Sequence, residues 1–466
     1  MLSGGIAKAR TLATALAGII SLGNVAVAAE ARPASPERTC GTVQSILDEY
    51  FASGKIAGAV VALGRGESDP IFIAAGSISD LPGAPRAGPA SLWRIYSMTK
   101  PITAMAAMTL VEDGKLSLDQ PIADFMPEFG AMRVLTAPET SLQARPARQS
   151  ITVRHLLTHT GGLTYQFLGR TPIHKAYEDL GLLGGRTDPA AAKAQPQSLE
   201  EFSRRLARLP LISEPGTKWN YSVGTDVLGR VIEVASGVSF ERYVEQRLLK
   251  PLGMTSTYWT VPRSEASRLA TLYAWSEKRV VVDPGDGSIW MQPPAIHYGG
   301  SGLVSSARDY DRFLQMLAGS GKVGRVRVLK SRTVRLAMSN LLPAGVRMTG
   351  AGTPEAALAE GYGAGGWVYL ADTAQGIRAG TYGWFGAAGT IAFVDPVAGI
   401  RLTLMTNYFP GDKWPLGRDL IAAVYSADRR APLCARSASG PSSLGSSQKS
   451  PAIRPLASGH AVRSGR

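Results

Sequence analysis

Ser97-Met98-Thr99-Lys100-Pro101-Ile102-Thr103-Ala104-Met105-Ala106-Ala107-Met108-Thr109-Leu110-Val111 carries two signals at once. Its apolar residues fall on nearly every side of a helical wheel, the pattern of a helix buried all round. At its start Ser97 and Lys100 stand three apart, on one face and one turn from each other. Pro101 suits a helix beginning near Ser97, because first-turn amides have no intrahelical partner. A serine needs a base within hydrogen-bond reach to act as a nucleophile. A helix N-terminus adds N–H groups and positive potential where negative charge develops. The stretch therefore predicts a core helix with chemistry at its first turn.

Sequence on either side supplies a framework. Thr42–Ala52 reads as a helix, followed by apolar strands at Ala57–Gly64 and Pro70–Gly76 with turn residues between them. Residues up to about 290 are mainly helical, with long Pro/Gly loops. Strand character returns at Gly361–Leu370, Gly376–Tyr382, Thr390–Val394 and Gly399–Met405, with a hairpin turn at Asp395–Gly399 and a helix from Trp414 to Tyr425. Strands at both ends of one globular region, 39–430, predict an α/β (α+β) fold. One antiparallel sheet is built from the N- and C-terminal segments (39–95 and 290–430) and flanked by helices. A mainly helical lobe (96–289) is inserted between them, and the cleft between lobes is the expected site.

Outside that region the reading is of processing and disorder. Lys8 and Arg10, the apolar Thr11–Val27 and the small residues Ala26-Val27-Ala28 form the three parts of a secretory signal over residues 1–28. A linker follows at 29–38, and a periplasmic or secreted location is expected. Residues 435–466 are rich in Ser, Gly, Pro and Ala and hold no acid, so disorder is expected there. No later apolar run is long enough to span a bilayer.

Composition excludes several functions. The net charge is +14, but part of it sits in the two terminal segments and the rest is scattered. No base-stacking or groove-reading motif accompanies it, so nucleic acid is not an expected partner. Two cysteines and five histidines exclude a multi-Cys zinc or iron–sulfur site. His155 and His159 are four apart, but Leu156 stands where a zinc protease needs Glu, so capping or packing is expected of them. No Gly-x-Ser-x-Gly elbow is present.

Ser-x-x-Lys alone is weak, since about one chance copy is expected in such a chain. Ser446-Ser447-Gln448-Lys449 is a second copy, in the tail. The weight comes from ordered companions: His159-Thr160-Gly161-Gly162-Leu163, Glu214-Pro215-Gly216 leading into Tyr221-Ser222-Val223, Gly300-Ser301-Gly302-Leu303, and Trp384-Phe385-Gly386-Ala387-Ala388-Gly389-Thr390. Tyr221 would open a helix, Tyr221–Ala235, whose start faces the cleft. A phenol beside an ammonium ion gains acidity and can act as a base.

With these motifs the chain resembles the serine β-lactamase and penicillin-binding-protein-like superfamily over about residues 40–428. It is most similar to the class C-like esterases called family VIII carboxylesterases. The resemblance implies Ser97 as acylated nucleophile, Lys100 as its partner and Tyr221 as general base. The backbone N–H groups of Ser97 and Ala387 would form the oxyanion hole. Val223, Trp384, Phe385 and Gly386 would line the substrate pocket. Val223 stands where the β-lactamases carry Asn, and Trp384 where they carry Lys; both changes make the pocket more hydrophobic. The implied activity is hydrolysis of compact carboxylic esters through an acyl-enzyme, with a small-molecule ester as partner and no metal or organic cofactor. A β-lactamase or D-amino-acid peptidase is the alternative within enzymes, and a non-catalytic binding protein on the same fold the alternative outside them. The resemblance also implies that the terminal helices pack together, which would let Cys40 and Cys434 form a disulfide; two free thiols are the other possibility.

Overall fold

A computed structural model describes residues 36–185, 195–348 and 360–426, with side chains from Thr39. The signal segment, the tail at 435–466 and Cys434 lie outside the described residues. Among these residues no helix is long and apolar enough to cross a membrane.

The main sheet is antiparallel and draws on both ends of the chain. Its strands are β1 (Gly58–Arg65), β2 (Ile71–Gly76), β4 (Glu360–Tyr362), β5 (Trp367–Tyr369), β6 (Tyr382–Phe385), β7 (Ile391–Asp395) and β8 (Ile400–Met405), in the order β4-β5-β6-β7-β8-β1-β2. β3 (Leu92–Arg94) lies apart, paired with Val304–Ser306. The seam between the two chain ends is β1 against β8, with Val61 opposite Leu404 and Leu63 opposite Leu402.

Alternation along β1 divides the core. Val60 and Ala62 point into the larger cluster with Ile102, Met105 and Met108 of α2 (Thr99–Glu112). Ala59, Val61 and Leu63 point the other way, toward Val43 and Leu47 of α1 (Pro36–Ala52) and Leu416 and Leu420 of the last helix, α5 (Leu416–Tyr425). Each fully buried Val or Leu contributes about 1.5–3 kcal/mol, so both faces are strongly specified. The two terminal helices pack together, and the Tyr50 hydroxyl donates to Asp419 Oδ2 across them at 2.6 Å. Cys40, in α1, is disulfide-bonded.

Three expected elements differ. Gly361–Leu370 is a hairpin rather than one strand, because Gly365 takes φ 74° and turns the chain. Gly376–Tyr382 is irregular loop with a turn at Ala379–Gly380, with Gly376 at φ 96° and Gly380 at φ 87°; extension begins only at Tyr382. The first helix starts at Pro36, ahead of Thr42. Helix α2 is as expected: every residue from Thr99 to Leu110 is buried.

Candidate active site

Ser97 sits in a single 3-10 turn, Tyr96–Met98, that feeds directly into α2. Two anchors hold that turn. Tyr96 adopts a left-handed φ of 41°, a conformation costly for a bulky residue, with its ring against Trp290 and Phe409. Upstream, the wholly buried Arg94 donates to Asp283 from Nε (2.8 Å) and from Nη2, and also from Nη2 to Ser288 Oγ at 2.9 Å. The backbone entering the turn is thereby tied to the ribbon Leu272–Asp283.

The companion motifs zip together around Ser97. Asn220 donates from its backbone to His159 O (2.8 Å) and from Nδ2 to Leu163 O (2.6 Å). Ile212 N donates to Gly162 O and Gly216 N to Thr160 O, both at 2.8 Å. The loop 159–163 thus carries the segment that presents Tyr221. From the opposite side, Gly299–Leu303 is bound to the first turn of α2. Thr103 Oγ1 donates to Gly299 O, Lys100 Nζ donates to Gly300 O, both at 2.8 Å, and Leu303 N donates to Thr99 Oγ1 at 3.2 Å.

These supports converge on one hydroxyl. Tyr221 Oη donates to Ser97 Oγ at 2.7 Å and Lys100 Nζ donates to it at 3.3 Å. Lys100 Nζ also lies 4.5 Å from the Tyr221 ring centroid. Residues distant in sequence therefore meet at one hydroxyl, with a phenol and an amine in hydrogen-bond reach of it. The end of β6 closes the fourth side. A Cβ on Gly386 would come within 2.4 Å of Ile95 O, so only glycine lets the strand end pass this close to the backbone that enters the Ser97 turn.

Two placements correct the sequence reading. Tyr221 does not open a helix: α3 spans Gly224–Ser236. Ser222 Oγ accepts from Gly224 N at 3.2 Å, which satisfies a first-turn donor and delays the helix start. Val223 does not line a pocket: it is completely buried in the main core, where a valine gains by burial. Trp384 is almost fully buried, stacked on Phe385 at 4.7 Å and near Tyr362 at 5.1 Å and Trp367 at 5.5 Å. Phe385 and Tyr221 remain half-buried, and Gly386 is buried.

Of the other side chains here, His159 was expected from the sequence only to cap or pack, and Tyr165 and Asp226 were not singled out. His159, left-handed at φ 55°, is buried with its ring 4.8 Å from that of Tyr221. Its Nδ1 shares a hydrogen bond with Ser222 Oγ at 3.1 Å. Burial, and then the Lys100 charge, hold the imidazole well below the ordinary histidine range, so it is neutral at pH 7. Its neighbour His155 closes a capping box with Thr152. Burial, then Asp226, Tyr221 and Tyr362, push the Tyr165 phenol well above its usual value. Asp226 is wholly buried, and its readable signal was a lone carboxylate inside the apolar run Val223–Leu228.

A beta-lactamase family model matches residues 43–426. The chain belongs to the beta-lactamase family. It is 34% identical over 350 residues to Protein Rv1367c of Mycobacterium tuberculosis, covering 72% of this chain and 80% of that protein. It is 29% identical over 405 residues to Esterase EstB of Burkholderia gladioli, covering 82% and 94%. Among solved structures, EstCE1, described as a hydrolase with promiscuous acyltransferase activity, aligns at TM-score 0.68 and 26% identity over 83% of this chain and 98% of that one. The chain is thus an enzyme of the serine hydrolase, esterase type on the β-lactamase/transpeptidase-like fold.

Proposed function

We propose that this family member hydrolyses compact carboxylic esters through an acyl-enzyme on Ser97. The observation that carries this reading is the shared hydroxyl: Ser97 Oγ is within hydrogen-bond reach of both Tyr221 Oη and Lys100 Nζ. In the reacting form the Tyr221 hydroxyl has released its proton, and the phenolate beside the Lys100 ammonium accepts the Ser97 proton as Oγ attacks the ester carbonyl. The N–H groups of Ser97 and Ala387 receive the developing oxyanion. Tyr221 then returns the proton to the departing alkoxide, leaving an acyl ester on Ser97. In the second half a water gives its proton to Tyr221, attacks that ester, and Ser97 recovers the proton as the acid departs. The reading includes export, with residues 1–28 removed.

The choice of ester over β-lactam rests on the third motif. Trp384 offers an indole packed among Tyr221, Tyr362, Trp367 and Phe385 where the β-lactamases carry a Lys. Losing a polar contact to a buried substrate group costs about 1–3 kcal/mol, which favours esters by about tenfold or more in kcat/KM. The test is a panel of alkyl esters, β-lactams and D-Ala peptides given to the purified protein, with mass spectrometry of the trapped acyl-enzyme. Esters should be turned over best, and the acyl mass should map to Ser97. A cephalosporin hydrolysed as efficiently as the best ester would move the assignment to a β-lactamase.

A further inference from the structure

Lys100 is buried beside a carboxylate it does not touch directly. Its Nζ donates to Gly300 O at 2.8 Å, while the N–H of that same residue donates to Asp226 Oδ1 at 2.8 Å. Gly300 therefore sits between cation and anion, held on its carbonyl by one and on its amide by the other. Asp226 lies in the first turn of α3, five residues after Tyr221, where the helix N-terminus favours negative charge. Its second oxygen, Oδ2, is buried with no hydrogen-bond partner among the described residues. An orphaned carboxylate oxygen is expensive to bury, and its retention beside a catalytic lysine calls for a reason.

The site admits no side chain at position 300. A Cβ on Gly300 would lie 2.9 Å from Tyr165 Oη and 3.1 Å from each Asp226 oxygen. The carboxylate and the phenol thus close around one Cα. Among the described residues the titratable groups facing Asp226 are Lys100 of α2 and the phenols of Tyr165 and Tyr298, and of these only Lys100 brings positive charge.

Resting on the Ser97–Lys100–Tyr221 reading, we propose that Asp226 is the positioning residue of this base. Its carboxylate fixes the Gly300 peptide that holds Lys100 Nζ, and its negative charge keeps the ammonium in register with Ser97 and Tyr221. Asp226 itself touches no reacting atom. Burial pushes its carboxyl up to about 6, against the pull of Lys100 and the Gly300 N–H. Acidification through that range removes the charge, so the hold on Lys100 loosens and proton transfer slows.

Asp226→Asn keeps the shape and an acceptor for Gly300 N–H but removes the charge. It is expected to lower kcat about tenfold on an alkyl ester with KM within about threefold, and to move the acid limb of kcat/KM to lower pH by about half a unit or more. Loss of the Asp226 titration and of its pull on neighbouring protons act in the same direction, which a merely structural role would not produce. A folded Asp226→Asn protein with wild-type kcat and an unmoved acid limb overturns the proposal. Should that variant fail to fold, the wild-type enzyme gives the answer through its rate of fluorophosphonate labelling at Ser97. That rate should fall on acidification with a midpoint near about 6, and a rate constant from about pH 8 to about pH 5 overturns the proposal. Labelling of the wild type away from Ser97 instead overturns the underlying reading.

Discussion

Two buried cation–carboxylate systems in this enzyme are built in opposite ways. Beside β8, Arg401 meets Asp311 of α4 (Ala307–Ala318) through two parallel bonds, Nε to Oδ1 at 3.0 Å and Nη2 to Oδ2 at 3.1 Å. The guanidinium also donates to Ser68 O at 2.8 Å and to Gly66 O, and Gln315 Nε2 donates to Asp311 at 3.2 Å. At the start of α2, Lys100 has the Gly300 carbonyl and the Ser97 hydroxyl, and Asp226 is reached only through the intervening peptide. A saturated pair has no capacity left for a reacting group and serves packing alone. The unsaturated arrangement holds charge near Ser97 with bonding capacity left over. Satisfaction, more than burial, separates the structural pair from the chemical one.

Removing Ser97 breaks the comparison most sharply. Ser97→Ala should lower kcat/KM by about 10⁴-fold or more while leaving the thermal midpoint unchanged, and paired assays with melting curves check both. The mirror experiment is Asp311→Ala, which leaves Arg401 buried and unpaired. It should destabilise the fold by about 3–5 kcal/mol in a urea titration, with normal kcat in the fraction that remains folded. Next comes the base: Tyr221→Phe should cost about 10²-fold in kcat/KM, measured on an alkyl ester because an activated nitrophenyl ester is too forgiving. Gln315→Ala removes one bond from the saturated pair and should cost only about 1–3 kcal/mol of stability, with no kinetic effect. Kinetic losses for Asp311 or Gln315 variants would erase the distinction.

Much of this was legible in the chain itself. The buried helix after Ser97 announced itself by apolar residues all round, and β1, β2 and the last two strands by short apolar runs between turn residues. Tyr221 could be expected beside Ser97 because its motif fell in order between the loops that carry it. Glycines limited the rest. Gly365, Gly376 and Gly380 fell within the expected strands Gly361–Leu370 and Gly376–Tyr382, while their positive φ values turned the first into a hairpin and most of the second into loop and turn. Val223 was placed by motif position, which does not say which way a side chain faces, and the gain from burying an aliphatic group put it in the core. Asp226 was readable as a residue but not as a partner of Gly300, because their contact joins positions far apart in sequence.

The central claim is that Ser97 is the nucleophile and that Tyr221 and Lys100 activate it. Fluorophosphonate labelling followed by peptide mapping tests it most directly, run on the wild type, Tyr221→Phe and Lys100→Ala. A single adduct on Ser97 is expected in the wild type, formed about 10²-fold more slowly in each variant. An adduct on any other serine, or labelling of Ser97 at the wild-type rate when Tyr221 is Phe, would contradict it.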